Sequence, residues 1–281
     1  MIDFHVHVGR LNKEYSLEFA KEMMEACGKN PNDLTVNSQR LLDDLDRHNI
    51  SKAVVLGFNA KRTLGVHVTN EFVAKLCQHN PDKLIGFGSF DAFTGLTNKK
   101  IRNDMERFNL KGFKIPYGYL NMSPLDPRWL PLYQDASHNK LPVLVHMGYS
   151  PIKKVNIKHC HPMSLEKVAQ EFPEMKIIIA HLAWPWIDEM IYLLKTYENI
   201  YADTSIVTYF QSVDFVVNLL LRLNKENVIN KIIWGTDYPM CSYEESLKRL
   251  EMIKINMKKR NLDVLNWNDL FLGTANKLLN T

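Results

Sequence analysis

Eight short, β-rich apolar runs recur along this chain, and their spacing constrains the fold more than any other feature. They cover residues 2–8, 53–58, 84–90, 112–117, 142–148, 176–184, 199–205 and 231–238. After the first gap, successive runs start roughly 23 to 34 residues apart, the size of one strand–helix unit. The stretches between them carry helical periodicity. Residues 38–48 place Leu41, Leu42 and Leu45 on one face, 70–79 gather Phe72, Val73, Leu76 and Cys77, and 164–172 gather Leu165, Val168, Ala169 and Phe172. Such a stripe is what a helix lying on a sheet needs. Ser164 and Ser242 read as N-caps, the latter followed by acids in its first turn. Asn80-Pro81 and Phe172-Pro173 stop helices, because the residue before a proline avoids the α region.

Strand–helix alternation repeated eight times implies a parallel sheet. A length of 281 residues would by itself suit two domains or one large barrel. With no linker and no shift in composition, the eight units predict one α/β domain over residues 1–281, a single, slightly distorted (β/α)8 barrel. Residues 9–37, with Met23 and Met24, are then a long active-site loop after the first strand that holds a short helix. A doubly wound nucleotide fold needs a glycine-rich phosphate loop after that strand; here the sequence is Val8-Gly9-Arg10-Leu11.

Composition narrows the function classes. Lys and Arg number 35 against 31 Asp and Glu, a net charge of +4 spread along the chain. The one basic cluster, Lys258-Lys259-Arg260, suits a helix C-terminus and is narrower than a polyanion footprint, so no nucleic-acid partner is expected. No apolar run approaches the roughly 18 residues of a membrane span; the longest, 177–187, is interrupted by His181. The first residues have neither the basic nor the long apolar region of a secretory signal. Cys27, Cys77, Cys160 and Cys241 form no CxxC pair and read as free thiols in a reducing compartment. The expectation is a cytoplasmic protein acting on a small molecule.

In a barrel, side chains at the C-terminal ends of the strands converge on one mouth. The first run ends His5-Val6-His7, and residues i and i+2 of a strand share a face. The fifth ends at His146, the sixth carries His181, and the eighth ends Thr236-Asp237-Tyr238. A single strand histidine is ordinarily a satisfied core residue, but two stacked imidazoles need polar partners. Four histidines and an aspartate at strand ends form a donor set for a catalytic divalent ion with a position left for water. His159-Cys160-His161 looks ligand-rich but falls in a loop with the wrong spacing for a tetrahedral site. Cys241 has no neighbouring histidine to activate it.

The segments IDFHVHVG, PVLVHMG, IIIAHLAW and IIWGTDYP resemble the metal-binding strands of the amidohydrolase superfamily, and most resemble its amidohydrolase-related branch of hydrolases and aromatic or muconate-type decarboxylases. LKGFKIPYGY, PLYQDASHNKLPVLVH and FLGTANKLL are similar to that branch too, so the resemblance covers nearly the whole chain. It implies a TIM-barrel metalloenzyme with one divalent ion, Zn²⁺ first and Mn²⁺ as the alternative, held by His5, His7, His146 and Asp237 with His181 close by. It also makes a homodimer an expectation. Where the branch often has a small pair after the sixth-strand histidine, this chain has Leu182-Ala183-Trp184, and Trp184 would narrow the mouth.

Two chemistries use this set. In a hydrolase, Asp237 takes the proton of the attacking water and His181 polarises the substrate carbonyl or relays a proton; the substrate is an amide, ester or lactone. In a decarboxylase, the ion binds a substrate carboxylate, with Arg10 and Lys114 as candidate cations and Tyr117, Tyr119, Tyr149, Trp184, Trp186 and Tyr238 as candidate walls. Arg10, Lys114, Tyr149, Trp184 and Tyr238 are the expected substrate contacts; the alternatives are a surface cation for Arg10 and loop packing for the aromatics. Lys114 could be a carboxylated bridge between two metals, an inward lysine paired to a carboxylate or to substrate, or an outward lysine. A non-catalytic binding barrel is the reading from another class.

Overall fold

The computed structural model describes residues 1–262 and 265–279. Every one of the eight runs contains a strand. The strands are β1 (Ile2–His7), β2 (Lys52–Leu56), β3 (Phe58–Ala60), β4 (Val66–Val68), β5 (Leu84–Phe87), β6 (Phe113–Ile115), β7 (Pro142–Val145), β8 (Lys176–Ile179), β9 (Ile200–Asp203) and β10 (Ile232–Ile233). Two parallel sheets form, β1-β2-β5 and β10-β9-β8-β7-β6. Single parallel bridges, Val6 to Tyr238 and Gly88 to Phe113, join them. The eight parallel strands therefore follow one another around a (β/α)8 ring whose two seams are bridges rather than ladders. The antiparallel hairpin β3–β4 is an addition that alternation alone did not announce.

The strands are shorter than the runs for one recurring reason. Near the mouth, backbone amides turn from the ladder to side chains. Thr236 N–H donates to Asp3 Oδ1 at 3.0 Å, and His181 N–H donates to Asp203 Oδ1 at 3.0 Å. His181, Leu182 and Ala183 then take left-handed backbone, φ 59°, 47° and 51°, which L-residues adopt at a cost. Asp237 does the same, with φ 65°. Strain of this kind gathers at functional sites.

The expected helices lie outside the ring. Leu41 and Leu45 of the helix Ser38–Arg47, and Val73 and Leu76 of Asn70–Gln78, are buried against the sheet. Ser242 caps Tyr243–Lys259 with a capping box to Glu245. Ser164 is not an N-cap: it sits inside the 3-10 turn Pro162–Leu165 and donates to the His161 carbonyl, and the helix Glu166–Glu171 starts after that turn. The 9–37 loop holds the helix Leu17–Ala26, capped by Ser16, and the 3-10 turn Pro31–Leu34. An inner cluster that includes Phe4, Val54, Leu56, Phe87, Leu144 and Ile178 fills the barrel below the mouth.

Candidate active site

The site begins with an irregularity in β1. Asp3 is level with Ala53 and Val6 with Val55, so Phe4 and His5 together oppose one residue of β2. Such a bulge re-aims side chains. It lets Phe4 pack into the inner cluster while His5 and His7 both turn into the mouth. The displaced His5 amide donates to Asp3 Oδ1 at 3.1 Å. Asp237 arrives opposite, its amide donating to the His5 carbonyl at 3.0 Å.

These residues line the closed end of a cavity of about 350 Å³, at the small end of ligand pockets. Three ligand atoms meet there. His5 Nε2 and His7 Nε2 are 3.2 Å apart, and Asp237 Oδ1 lies 3.2 Å from the first and 3.1 Å from the second. Among the described residues no donor reaches Asp237 Oδ1 in hydrogen-bond geometry. Lone-pair atoms turned on one another at this spacing fit a shared cation, since tetrahedral ligands at Zn–N distances stand about 3.3 Å apart. Burial pushes the Asp237 carboxyl up, but the adjoining His5 and His7 outweigh it and hold the group below its ordinary range. Burial, reinforced by Lys114, holds His5 well below the usual imidazole value, as a neutral ligand requires.

A second layer orients the rings. Asp203, at the end of β9 and fully buried, holds His5 Nδ1 through Oδ2 at 2.8 Å. Its Oδ1 accepts the amides of His181 and Ser205 and the Ser205 hydroxyl. Ser205 Oγ is 2.8 Å from His181 Nδ1, and His181 Nε2 is 3.1 Å from His146 Nδ1. With neutral rings, these contacts each receive one hydrogen in only one way. Ser205 gives its proton to Asp203, His181 donates to Ser205, and His146 donates to His181. This leaves lone pairs on His5 Nε2 and on His146 Nε2, the latter buried without a partner among the described residues. Burial lowers the pKa of both His146 and His181, so the neutral assignment holds.

Lys114 faces inward and is buried, its Nζ 3.1 Å from His5 Nε2. Burial lowers its pKa to about 8, with Asp237 and Asp203 pulling the other way. Trp184 and Tyr149 line the outer part of the cavity, ring centroids 5.9 Å apart. Gly148 sets that pair: it has φ 94°, and a Cβ there would stand 2.6 Å from the Trp184 carbonyl oxygen.

Two expected contacts lie elsewhere. Arg10 turns away from the cavity and forms a two-point pair with Glu14, at 2.9 and 2.6 Å, with its guanidinium near the Phe72 ring. Tyr238 stacks on Tyr243 and donates to Asp44 Oδ2 at 2.6 Å. Both sit next to site residues in sequence, but their loops carry them outward to partners that hold them. Of the other aromatics proposed as walls, Tyr119 lines the cavity, while Tyr117 pairs with Tyr133 and Trp186 packs on His161. Sequence reasoning missed Asp203, Ser205, the hairpin's Phe58 and Phe19 of the loop helix; it put Met23 in the active-site loop without assigning it a contact. Asp203 alone left a signal, an acid near the end of the seventh run.

The amidohydrolase family profile matches residues 2–280. The chain belongs to the amidohydrolase family. Amidohydrolases are metal-dependent enzymes, and His5, His7 and Asp237 at the cavity floor stand close enough to hold a metal ion. Among curated proteins, protein fluG of Emericella nidulans is 25% identical over 96 residues, a match that spans 34% of this chain and only 11% of fluG. Solved structures show the same fold. An uncharacterised TIM-barrel protein of Bordetella bronchiseptica superposes with a TM-score of 0.79 at 20% identity, covering 100% of this chain and 98% of the other. A protein described as a 2-pyrone-4,6-dicarboxylic acid hydrolase, from Pseudomonas putida, gives 0.70 at 18% identity over 99% and 97%. The 2,6-dihydroxybenzoate decarboxylase from Rhizobium gives 0.70 at 13% identity over 99% and 98%. Amidohydrolase-like barrels similar to this one thus include both a hydrolase and a decarboxylase.

Proposed function

We propose that this amidohydrolase is a metal-dependent hydrolase of a small carbonyl compound, an amide, ester or lactone. The observation that carries the reading is the meeting of His5 Nε2, His7 Nε2 and Asp237 Oδ1 within 3.1 to 3.2 Å at the closed end of the cavity. His5, His7 and Asp237 would hold the ion, and His146 offers its unpartnered Nε2 as a further donor. A bound Zn²⁺ or Mn²⁺ supplies Lewis acidity to water and to a substrate carbonyl. Asp237, its carboxyl held below the ordinary range, accepts the proton of the attacking water at its carboxylate. His181, held at Nδ1 by Ser205, relays a proton on the other side of the floor. Lys114 places an ammonium beside His5, where charge develops on the carbonyl oxygen.

Removal of the ion by a chelator should abolish turnover, and Zn²⁺ or Mn²⁺ should restore it. Asp237→Asn should retain most of the metal while turnover falls at least about 100-fold, the range of a lost general base. Full activity in that variant removes Asp237 from the mechanism.

A second reading, a decarboxylase of an aromatic or muconate-like acid, is favoured by one observation. The buried Lys114 ammonium could pair with a substrate carboxylate at the floor. Release of CO₂ rather than of a new acid, across a panel of aryl acids, esters and lactones, decides for it.

A further inference from the structure

The floor of the cavity is charged and its walls are not. Above Lys114, His5, His7 and Asp237 the lining is apolar and aromatic, with Phe19, Met23, Leu34, Phe58, Ile206 and Phe210 among its residues. None of the described lining residues is an arginine, and Lys114 is the one ammonium. Three cations of nearby segments are already engaged. Arg10 is clamped by Glu14, Lys29 by Glu245 and the Met240 carbonyl, and Lys154 by Glu18.

Free hydrogen-bond donors are also scarce on the walls. The Tyr15 hydroxyl is committed to the Val8 carbonyl at 2.6 Å. Tyr119 OH takes a hydrogen bond from Ser150 and keeps its own proton to give. Gln211 and the exposed Tyr149 stand toward the opening.

From this distribution we infer that the enzyme selects an uncharged, largely apolar ester or lactone, and rejects both dicarboxylates and polyhydroxylated, sugar-like lactones. The inference rests on the hydrolase reading and names the substrate class of the same site. The floor can match one polar, reacting group. A second carboxylate deep in the cavity would lie against Phe58 or Ile206 with no cation to pair with, and an unpaired buried charge is strongly disfavoured. Hydroxyls on a sugar would lose water without gaining partners. A flat apolar body would instead gain from burial against the aromatic rings.

The reaction fits this asymmetry. Water oxygen bonds to the acyl carbon and the acyl C–O bond breaks. One water proton passes to the leaving oxygen, and the other is lost from the acid formed.

A matched pair tests the inference: isophthalate, a dianion, and its uncharged dimethyl ester. Binding of each to the Zn²⁺-loaded full chain is measured by calorimetry and thermal shift, with recovery of the ester followed by chromatography. The ester should bind at least 100-fold more tightly than the dianion. Phe210→Arg, which adds a cation to the wall at a half-exposed position, should narrow that gap at least tenfold by strengthening isophthalate binding. Equal or preferred binding of isophthalate, no binding of the ester, or an unchanged gap in Phe210→Arg would each overturn the inference. Tight binding of an ester recovered intact counts against the hydrolase reading and leaves the charge selection standing. Hydrolysis by a protein that prefers the dianion does the reverse.

Discussion

Asp203→Asn is the most informative single substitution outside the candidate ligands. In the native protein this carboxylate accepts four hydrogens: His5 Nδ1–H, the amides of His181 and Ser205, and the Ser205 hydroxyl. All of these groups are buried. Asparagine offers one carbonyl oxygen, and its amide nitrogen must face at least one of the four donors. A buried donor left unpaired costs about 1–3 kcal/mol, so the variant should fold with a Tm lowered by several degrees. The larger effect should fall on the ion. If the amide nitrogen faces His5, the ring must reverse its tautomer and present N–H rather than a lone pair at Nε2. Loss of such an outer partner typically weakens metal binding roughly 10- to 100-fold. Calorimetric titration of the metal-free chain with Zn²⁺, alongside thermal melts, measures both effects. Metal affinity within twofold of wild type in a folded Asp203→Asn protein would refute the claim that Asp203 sets the His5 tautomer. Asp203→Glu separates charge from geometry: it restores the acceptor but lengthens the arm, and should recover little affinity.

Two other outcomes are expected. Gly148→Ala forces a Cβ against the Trp184 carbonyl at a backbone angle that L-residues avoid, so it should cost about 1–3 kcal/mol in urea denaturation; a cost below 0.5 kcal/mol, within the scatter of ordinary surface changes, would show that the Trp184 segment shifts freely. Glu245 binds Lys29 and so ties the end of the 9–37 helix segment to the last barrel helix. Burial would raise its pKa, but Lys29 and Ser242 outweigh that and lower it from 4.5 to about 2. A depressed acid stabilises the fold above its unfolded pKa and loses that contribution as pH falls through the folded value. The stability difference between wild type and Glu245→Gln should therefore be full above about pH 5 and fade toward pH 2; a difference independent of pH would show that the ion pair contributes nothing.

The fold was legible because a parallel barrel repeats one unit eight times, so an error at one strand leaves the period intact. Its strand ends were less legible, because the amides near the mouth bond to Asp3, Asp203 and Thr204 instead of to the neighbouring strand. At the site, residues on strands and residues on loops behaved differently. His5, His7, His146, His181 and Asp237 were placed at strand ends, and the structure brings all five to the cavity; Lys114, whose direction the sequence left open, joins them there. Arg10 and Tyr238 lie only three and one residues from members of that set, yet neither reaches it. Arg10 follows its own i+4 partner, Glu14, and Tyr238 answers to Asp44, which is 194 residues away. Asp203 shows the converse. As an acid at a strand end it looks no different from Asp237, and only the 2.8 Å contact to His5 Nδ1 separates a residue that orients a ligand from one placed to be a ligand. Register tells which strand side chains enter the mouth, but what each does there depends on contacts between strands far apart in the chain. Those contacts here make Asp203 the anchor of a hydrogen-bonded chain that runs through Ser205 and His181 to the free nitrogen of His146.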